Sequence, residues 1–418
     1  MRPVNVPAKT LGAPMVIHPE EPPQPASDAA GFTSLFRSRF ERLDAILKRR
    51  VDVRDAISIA QALKQPAKTK LKITGIITEK HTRGPRLFIE LEDATASITA
   101  MATETEIVKK GLELQEDQVV AVDAVKYTED LLVANDWIWP DVPQNTPRRS
   151  PDPLYAALLA DVHVGSKYFR RDLFQRFIDW TNQTVGPQQS RDAAAKLKYV
   201  IVAGDIVDGV GIYPEQLEEL TIPDIRQQYR EAYELVRQLP TYIEVVVTPG
   251  NHDATRHSMP QLPIPEEYAK ELHSDQRVHM LPSPTRLNLN GVELLAEHGK
   301  GMDDILSSTP GYEFKHPIKA MELLFRCRHL APRYGQSTPI APEATDRLII
   351  SEVPDVALMG HVHILETKRY RGVTLLSAGS WQEQTPFQSR MQIQPTVGVA
   401  TLLDLQTHQT LDLDLSRF

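Results

Sequence analysis

One cysteine stands among 418 residues, so no intrachain disulfide can form and a reducing compartment is the expected setting. That cysteine, Cys327, is expected as a small buried hydrophobe rather than a nucleophile. No apolar run approaches the roughly 20 residues that a membrane-crossing helix needs. The opening residues Met1–Pro7 have no apolar core, which argues against a secretory signal and for a cytoplasmic protein. Positive charge is also scarce: 47 Lys and Arg against 55 Asp and Glu leave a net charge of -8. This excludes a chain that holds nucleic acid by bulk charge alone, because that affinity comes from Lys and Arg on phosphates.

What is abundant changes along the chain, and its length alone favours two or three folded units. Residues 1–30 are rich in proline, with Pro19-Glu20-Glu21-Pro22-Pro23-Gln24-Pro25 at the centre, and read as a disordered arm. Across 31–66, Phe32, Leu35, Phe36, Phe40, Leu43 and Leu47 recur at helical spacing. Their apolar stripe must dock, within the chain or on a partner. Residues 67–140 hold five short β runs: Leu71/Ile73, Leu87/Ile89/Leu91, Ile98, Val120/Val122 and Leu131-Leu132-Val133. Five such strands predict a small Greek-key barrel of the oligonucleotide-binding type, although periodicity does not separate it from other small β folds. Its aromatics are few (Phe88, Tyr127, Trp137, Trp139), whereas single-strand binders stack bases on aromatic rings. A structural or partner-binding barrel is therefore expected. A proline-rich linker, 141–153, follows.

From 154 to 418 strand-like runs alternate with helical stretches, the signature of an α/β domain. The expected strands are Ala156–Ala160, Tyr199–Ala203, Ile243–Thr248, Glu293–Ala296, Val356–Met359 and Val373–Ser377. Five of them end in a polar word: Asp161-Val162-His163, Gly204-Asp205-Ile206-Val207-Asp208, Gly250-Asn251-His252-Asp253, His298-Gly299 and Gly360-His361-Val362-His363. The C-terminal ends of strands are where such sheets place their sites. Each word is weak alone. Together they supply imidazole nitrogens, carboxylates and one amide oxygen, which is the donor set for two adjacent divalent ions. Asp205, central in the order, suits a bridge. Imidazole and carboxylate favour Mn, Fe or Zn; Mn is the expected ion, with Mg a further alternative. Two such ions serve phosphate-ester chemistry, because together they stabilise the attacking and the leaving oxygen.

On these five words the last 270 or so residues resemble the calcineurin-like metallophosphoesterases, which implies a β-sandwich core flanked by helices. The resemblance gives Asp161, His163, Asp205 and His363 to a first metal. It gives Asp205, Asn251, His298 and His361 to a second. His252 would stabilise the reacting phosphate and protonate the leaving oxygen, with Asp253 orienting its ring. Longer words narrow the likeness: Asp205–Pro214, Pro249–Ala254, His298-Gly299-Lys300, Arg328–Gly335 and Gly379–Thr385 are similar to the small subunit of archaeal family-D DNA polymerase. That family implies a barrel ahead of a phosphoesterase domain, a 3′–5′ exonuclease acting on DNA 3′ ends, and a separate large polymerising subunit as partner. Lys300 departs from the arginine expected there, keeping the charge but not the bidentate geometry. A non-catalytic scaffold of the same polymerase and a stand-alone phosphodiesterase are the competing readings. His257 and His329 flank the resembling words and could touch substrate. For Arg326, Arg328 and Arg333, a phosphate contact and a solvated helix face are both open.

Overall fold

The structure, a computed structural model, describes residues 6–19 and 29–418. Its first strand is β1 (Val16–Ile17), followed by the helix Ala29–Lys48. Next come β2 (Lys70–Arg83), β3 (Arg86–Glu92), β4 (Ser97–Ala102), β5 (Val119–Lys126) and β6 (Leu131–Ile138). These five close into a barrel in the order β2-β3-β4-β6-β5, antiparallel except for the parallel pair β4–β6. Alternate residues face inward, so Ile73, Ile77, Leu87, Ile89, Val120 and Val122 are fully buried. Register shifts at Ile77/Glu79 and Asp123/Ala124 supply the bends that closure needs. The helix Thr105–Leu112 lies against the barrel, where Gly111 leaves room for Trp137.

The remaining strands build two sheets. They are β7 (Tyr155–Leu159), β8 (Leu197–Ala203), β9 (Glu244–Thr248), β10 (Val278–Met280), β11 (Thr285–Leu289) and β12 (Val292–Ala296). Then follow β13 (Val356–Met359), β14 (Glu366–Tyr370), β15 (Val373–Ser377), β16 (Val399–Asp404) and β17 (Thr410–Asp414). One sheet runs β1-β11-β12-β13-β15-β14, the other β10-β9-β8-β7-β16-β17. Their inner faces meet through Leu158, Ile201 and Val246 on one side and Leu287, Leu294, Leu358 and Leu376 on the other. Strands β8, β12, β13 and β15 are buried on both faces, which explains their near-continuous apolar runs. The helices Arg171–Thr181 and Ile225–Val236 cover one outer face, and Pro317–Cys327 the other.

The amphipathic stripe of Ala29–Lys48 docks inside the chain. Leu43 and Leu47 pack with Val119, Ala121 and Ile349, Asp44 accepts a hydrogen bond from Thr74 at 2.6 Å, and Phe32 packs at a tilt against Tyr334, ring centroids 4.9 Å apart. One expectation needs correcting. Residues 6–19, read as part of a disordered arm, lie on the sandwich instead. Ala8 is buried, the Tyr199 hydroxyl donates to Ala13 O at 3.0 Å, and Val16–Ile17 adds an edge strand to β11. Two residues borrowing an existing edge need little apolar surface of their own. The proline-rich centre of that arm, beyond residue 19, falls outside the described residues. The linker has no regular structure but is pinned: Asp141 N donates to Arg326 O, Asn145 N to Arg371 O, and Arg148 pairs with Asp355. Among the described residues no helix is long and apolar enough to cross a membrane. Cys327 is buried, and burial pushes its thiol up to about 12, so it is chemically quiet.

Candidate metal centre

Strands β7, β8 and β9 run parallel in one sheet, and β12 and β13 parallel in the other. Their C-terminal ends open on the same side, and the five polar words leave from them. The backbone there is strained: Asp161 (φ 55°), His163 (φ 55°), Asp205 (φ 53°), His361 (φ 71°) and His363 (φ 64°) all take the left-handed conformation. Each such residue costs about 1–3 kcal/mol, and such strain clusters at functional sites. Two glycines make the close approach possible. A Cβ on Gly250 would run into Asp205 Oδ1, and one on Gly360 into Asp161 Oδ2.

The donors fall into groups whose ligand atoms lie within 4.8 Å of one another: Asp161, His163 and His363; Asp161, Asp205 and His298; and His163, Asp208 and His252. His163 Nε2 and His363 Nε2 face each other at 3.1 Å. Asp161 is common to the first two groups, and Asp205 Oδ2, in the second, lies 3.3 Å from His298 Nε2 and 3.8 Å from His163 Nε2 of the first. Asn251 Oδ1 lies 3.1 Å from His298 Nε2. Each ring is held at its other nitrogen: His163 Nδ1 by Asp208 (3.0 Å), His298 Nδ1 by Ala203 O (3.0 Å), and His363 Nδ1 beside Gln388 Nε2 (2.8 Å). Rings fixed from behind with one nitrogen aimed at shared carboxylates are the arrangement of metal-binding histidines. His361 is the exception in placement. Its Nε2 is 2.9 Å from Asp303 Oδ1, outside the three groups, which leaves Nδ1 as its free donor. By donor chemistry and mutual distance these residues fit divalent ions.

Without an ion between them, the carboxylates and imidazoles compensate one another's charge. Burial opposes ionisation of Asp161 and Asp205, yet the histidines around them hold both carboxyls below the usual range. Burial also opposes protonation of His298, but Asp205 raises it to about 10. Asp253 moves the other way: burial, then the neighbouring Asp205 charge, lift it to about 7. Negative charge is thus concentrated on the two carboxylates that face the donors.

Asp253 does not orient the His252 ring. Its carboxylate accepts from Asp205 N (2.8 Å), Gly250 N (2.9 Å) and the Tyr229 hydroxyl (3.0 Å), bracing the two loops that carry Asp205 and Asn251. The ring partner of His252 is the Asp208 carbonyl, 2.7 Å from Nδ1, because the sharp turn at Gly250 points Asp253 back under the strand ends. Residues to which the sequence reading gave no role support the donors from behind. Gln382 donates to Asp208 Oδ1 at 2.8 Å, Gln388 sits on His363, and Asp303 joins His361 to Lys300 (2.6 Å). Glutamines carry no spacing signal; the one hint was that Gln382 falls within the Gly379–Thr385 word. Arg326, Arg328 and Arg333 neither reach the site nor form a solvated face. They join the barrel to the sandwich or brace loops, on Glu113, on Ile350 O and Ser351 O, and on Glu116. His329 is buried on Asp346, and His257 is exposed.

The helix-flanked sandwich carries a buried His and Asp donor set at its strand ends, the arrangement that the metallophosphoesterase resemblance leads one to expect. The family model for the B subunits of DNA polymerases alpha and epsilon matches residues 156–365. The DNA polymerase II small subunit of Pyrococcus horikoshii is 37% identical over 391 residues, covering 93% of this chain and 63% of that one. Its counterpart in Methanothermobacter thermautotrophicus is 39% identical over 372 residues, 88% of this chain and 76% of that one. The chain belongs to the family of archaeal DNA polymerase II small subunits. It spans less than two thirds of the length of the Pyrococcus relative. A solved archaeal phosphodiesterase is 12% identical and covers 62% of this chain and 99% of its own, with a TM-score of 0.30, too low to argue from.

Proposed function

We propose that this chain is the proofreading small subunit of a replicative DNA polymerase: a two-metal 3′–5′ exonuclease that acts beside a separate large polymerising subunit in the archaeal cytoplasm. The observation that carries the reading is Asp205, whose Oδ2 lies 3.3 Å from His298 in one group of buried donors and 3.8 Å from His163 in the adjoining one. Asp161, His163, Asp205 and His363 would hold one divalent ion, and Asp205, Asn251, His298 and His361 the other. Bound there, the ions would stabilise the attacking and leaving oxygens of a phosphodiester.

The chain's own residues do the rest. His252 lies beside the donors, its backbone N–H on Asp205 Oδ1 at 2.8 Å. Donation from Nδ1 to the Asp208 carbonyl fixes the ring, and in the imidazolium form Nε2 carries a second proton that passes to the departing 3′-oxygen. Asp208 and Gln382 hold His163, and Asp303 holds His361, so that the donors need no rearrangement when the phosphate arrives. Lys300 lines the same cavity but is paired with Asp303, so its charge goes first to holding that carboxylate on His361.

The test is release of single nucleotides from a 5′-labelled oligonucleotide by the purified chain with Mn. A ladder shortened from the 3′ end is expected. An intact oligonucleotide would favour the scaffold reading, and internal cuts a stand-alone endonuclease.

A further inference from the structure

The cavity of about 500 Å³ in which the donors stand is not polar throughout. Part of its wall is apolar, made by Ile212, Tyr213, Phe314, Phe387, Met391 and Ile393. Two of these are open to solvent, Phe387 at 55% and Met391 at 48% exposure. Their position is fixed by the short helix Pro386–Arg390. Thr385 caps it by accepting from Gln388 N, and the Gln388 side chain returns a bond to Thr385 N. Gln388 also touches His363 at 2.8 Å. One residue of this helix therefore contacts a metal-site imidazole while its neighbour presents an uncovered aromatic ring to the same cavity.

On the proposed phosphodiesterase reading, we infer that this wall receives the base of an unpaired 3′-terminal nucleotide. Its base would stack on Phe387 with Met391 at its edge, while its phosphate lies over the donors. Three features select this occupant. The apolar wall and the donor set share one enclosure, so a nucleotide whose base covers the wall can bring its phosphodiester within reach of His252. An enclosure of this volume falls in the range of small-molecule sites, roughly 300–1,000 Å³, and has no room for a duplex. Every base has a π face, so aromatic stacking tolerates any sequence, as removal of mismatches of any kind requires.

The test compares two oligonucleotides that differ only at the 3′-terminal residue, one with a normal nucleotide and the other with an abasic tetrahydrofuran residue. Both present the same terminal phosphodiester to the full chain with Mn. For the wild type, kcat/KM is expected to favour the base-bearing end by roughly 5- to 150-fold, the range that base–aromatic stacking spans. Phe387→Ala is expected to bring that ratio towards one, Met391→Ala to lower it less, and Phe387→Trp to retain it. Equal wild-type rates on the two ends, or a Phe387→Ala variant that slows both alike, would overturn the inference. The second result would mean that Phe387 only supports Gln388. No release from either end by the wild type would refute the phosphodiesterase reading itself, a distinct failure.

Discussion

Arg39 and Asp346, 307 positions apart, meet with Nε donating to Oδ2 at 2.7 Å, and both side chains are buried. The same guanidinium donates to Pro332 O at 2.6 Å and to Asp117 O at 3.3 Å. One side chain thus ties the helix Ala29–Lys48, the barrel and the sandwich together. Removing one partner of a buried pair leaves the other charge uncompensated and costs about 3–5 kcal/mol. Arg39→Met is therefore expected to lower the denaturant midpoint sharply. Arg39→Met combined with Asp346→Leu should recover part of the loss, because the orphaned carboxylate is then gone. A double variant less stable than Arg39→Met would contradict this account.

The same cluster sets an acid limit. His329 Nδ1 accepts from Ala331 N at 3.0 Å, so its Nε2 carries the proton that faces Asp346, 2.9 Å away. Burial, then the Arg39 charge, hold the ring below its usual pKa. It stays neutral in the fold, whereas the unfolded chain takes up a proton below about 6.5. Stability from this group is complete above that pH and falls below it, by at most about 1.4 kcal/mol per pH unit. Burial also opposes the Asp346 charge, but His329 and Arg39 hold its carboxyl well below the usual range. Its share is present above the ordinary carboxyl pKa and is lost as pH falls through the depressed value. Melting temperatures from pH 7 to 5 should fall less steeply for His329→Gln than for the wild type.

How far the sequence shows this depends on the kind of contact. The five strand-end words were legible because strands buried on both faces are continuous apolar runs, and the donors follow them directly. Arg39 was not read as buried, yet a signal existed: it stands four residues from Leu35 and from Leu43, on the apolar stripe itself. A charge on that stripe has to find a partner, although its identity, Asp346, is a long-range fact. Gln382, Gln388 and Asp303 had no periodicity to betray them. The packing of residues 6–19 was missed because composition weighs a segment's own apolar surface and not the edge it can borrow.

Asp205 and His361 are expected to differ in their hold on metal. Asp205 faces both donor groups, whereas His361 has one ring nitrogen on Asp303. Elemental analysis of purified variants should find Asp205→Asn more depleted than His361→Ala. Full occupancy in Asp205→Asn would remove the proposed bridge. Hydrolysis should run faster with Mn than with Mg, because a histidine-rich site suits the softer ion; equal rates with Mg alone would count against the assignment.

His252 should separate chemistry from metal binding. It lies beside the donors, but its Nδ1 is committed to Asp208 O. In His252→Ala, metal content and melting temperature should stay near wild type while kcat falls roughly 10²–10⁴-fold, the loss typical of a missing general acid. A variant that loses metal instead would place His252 in the donor set.

The chain alone is expected to hold DNA weakly. Its net charge is -8, and basic side chains around the candidate centre are already engaged: Lys300 with Asp303, Arg256 with Glu343, and Arg170 with Asp172 and Glu383. Paired cations release few counterions when phosphate approaches, and counterion release is the main source of non-specific affinity. On the proposed function, the large subunit must then supply the basic channel and deliver the frayed 3′ end. In titrations at about 0.15 M salt, primer-template DNA should bind the two-subunit complex far more tightly than this chain, and the complex should show the steeper salt dependence. Tight, salt-resistant binding by the isolated chain would refute this. It would mean that the cavity and its apolar wall capture DNA unaided, as a stand-alone nuclease must.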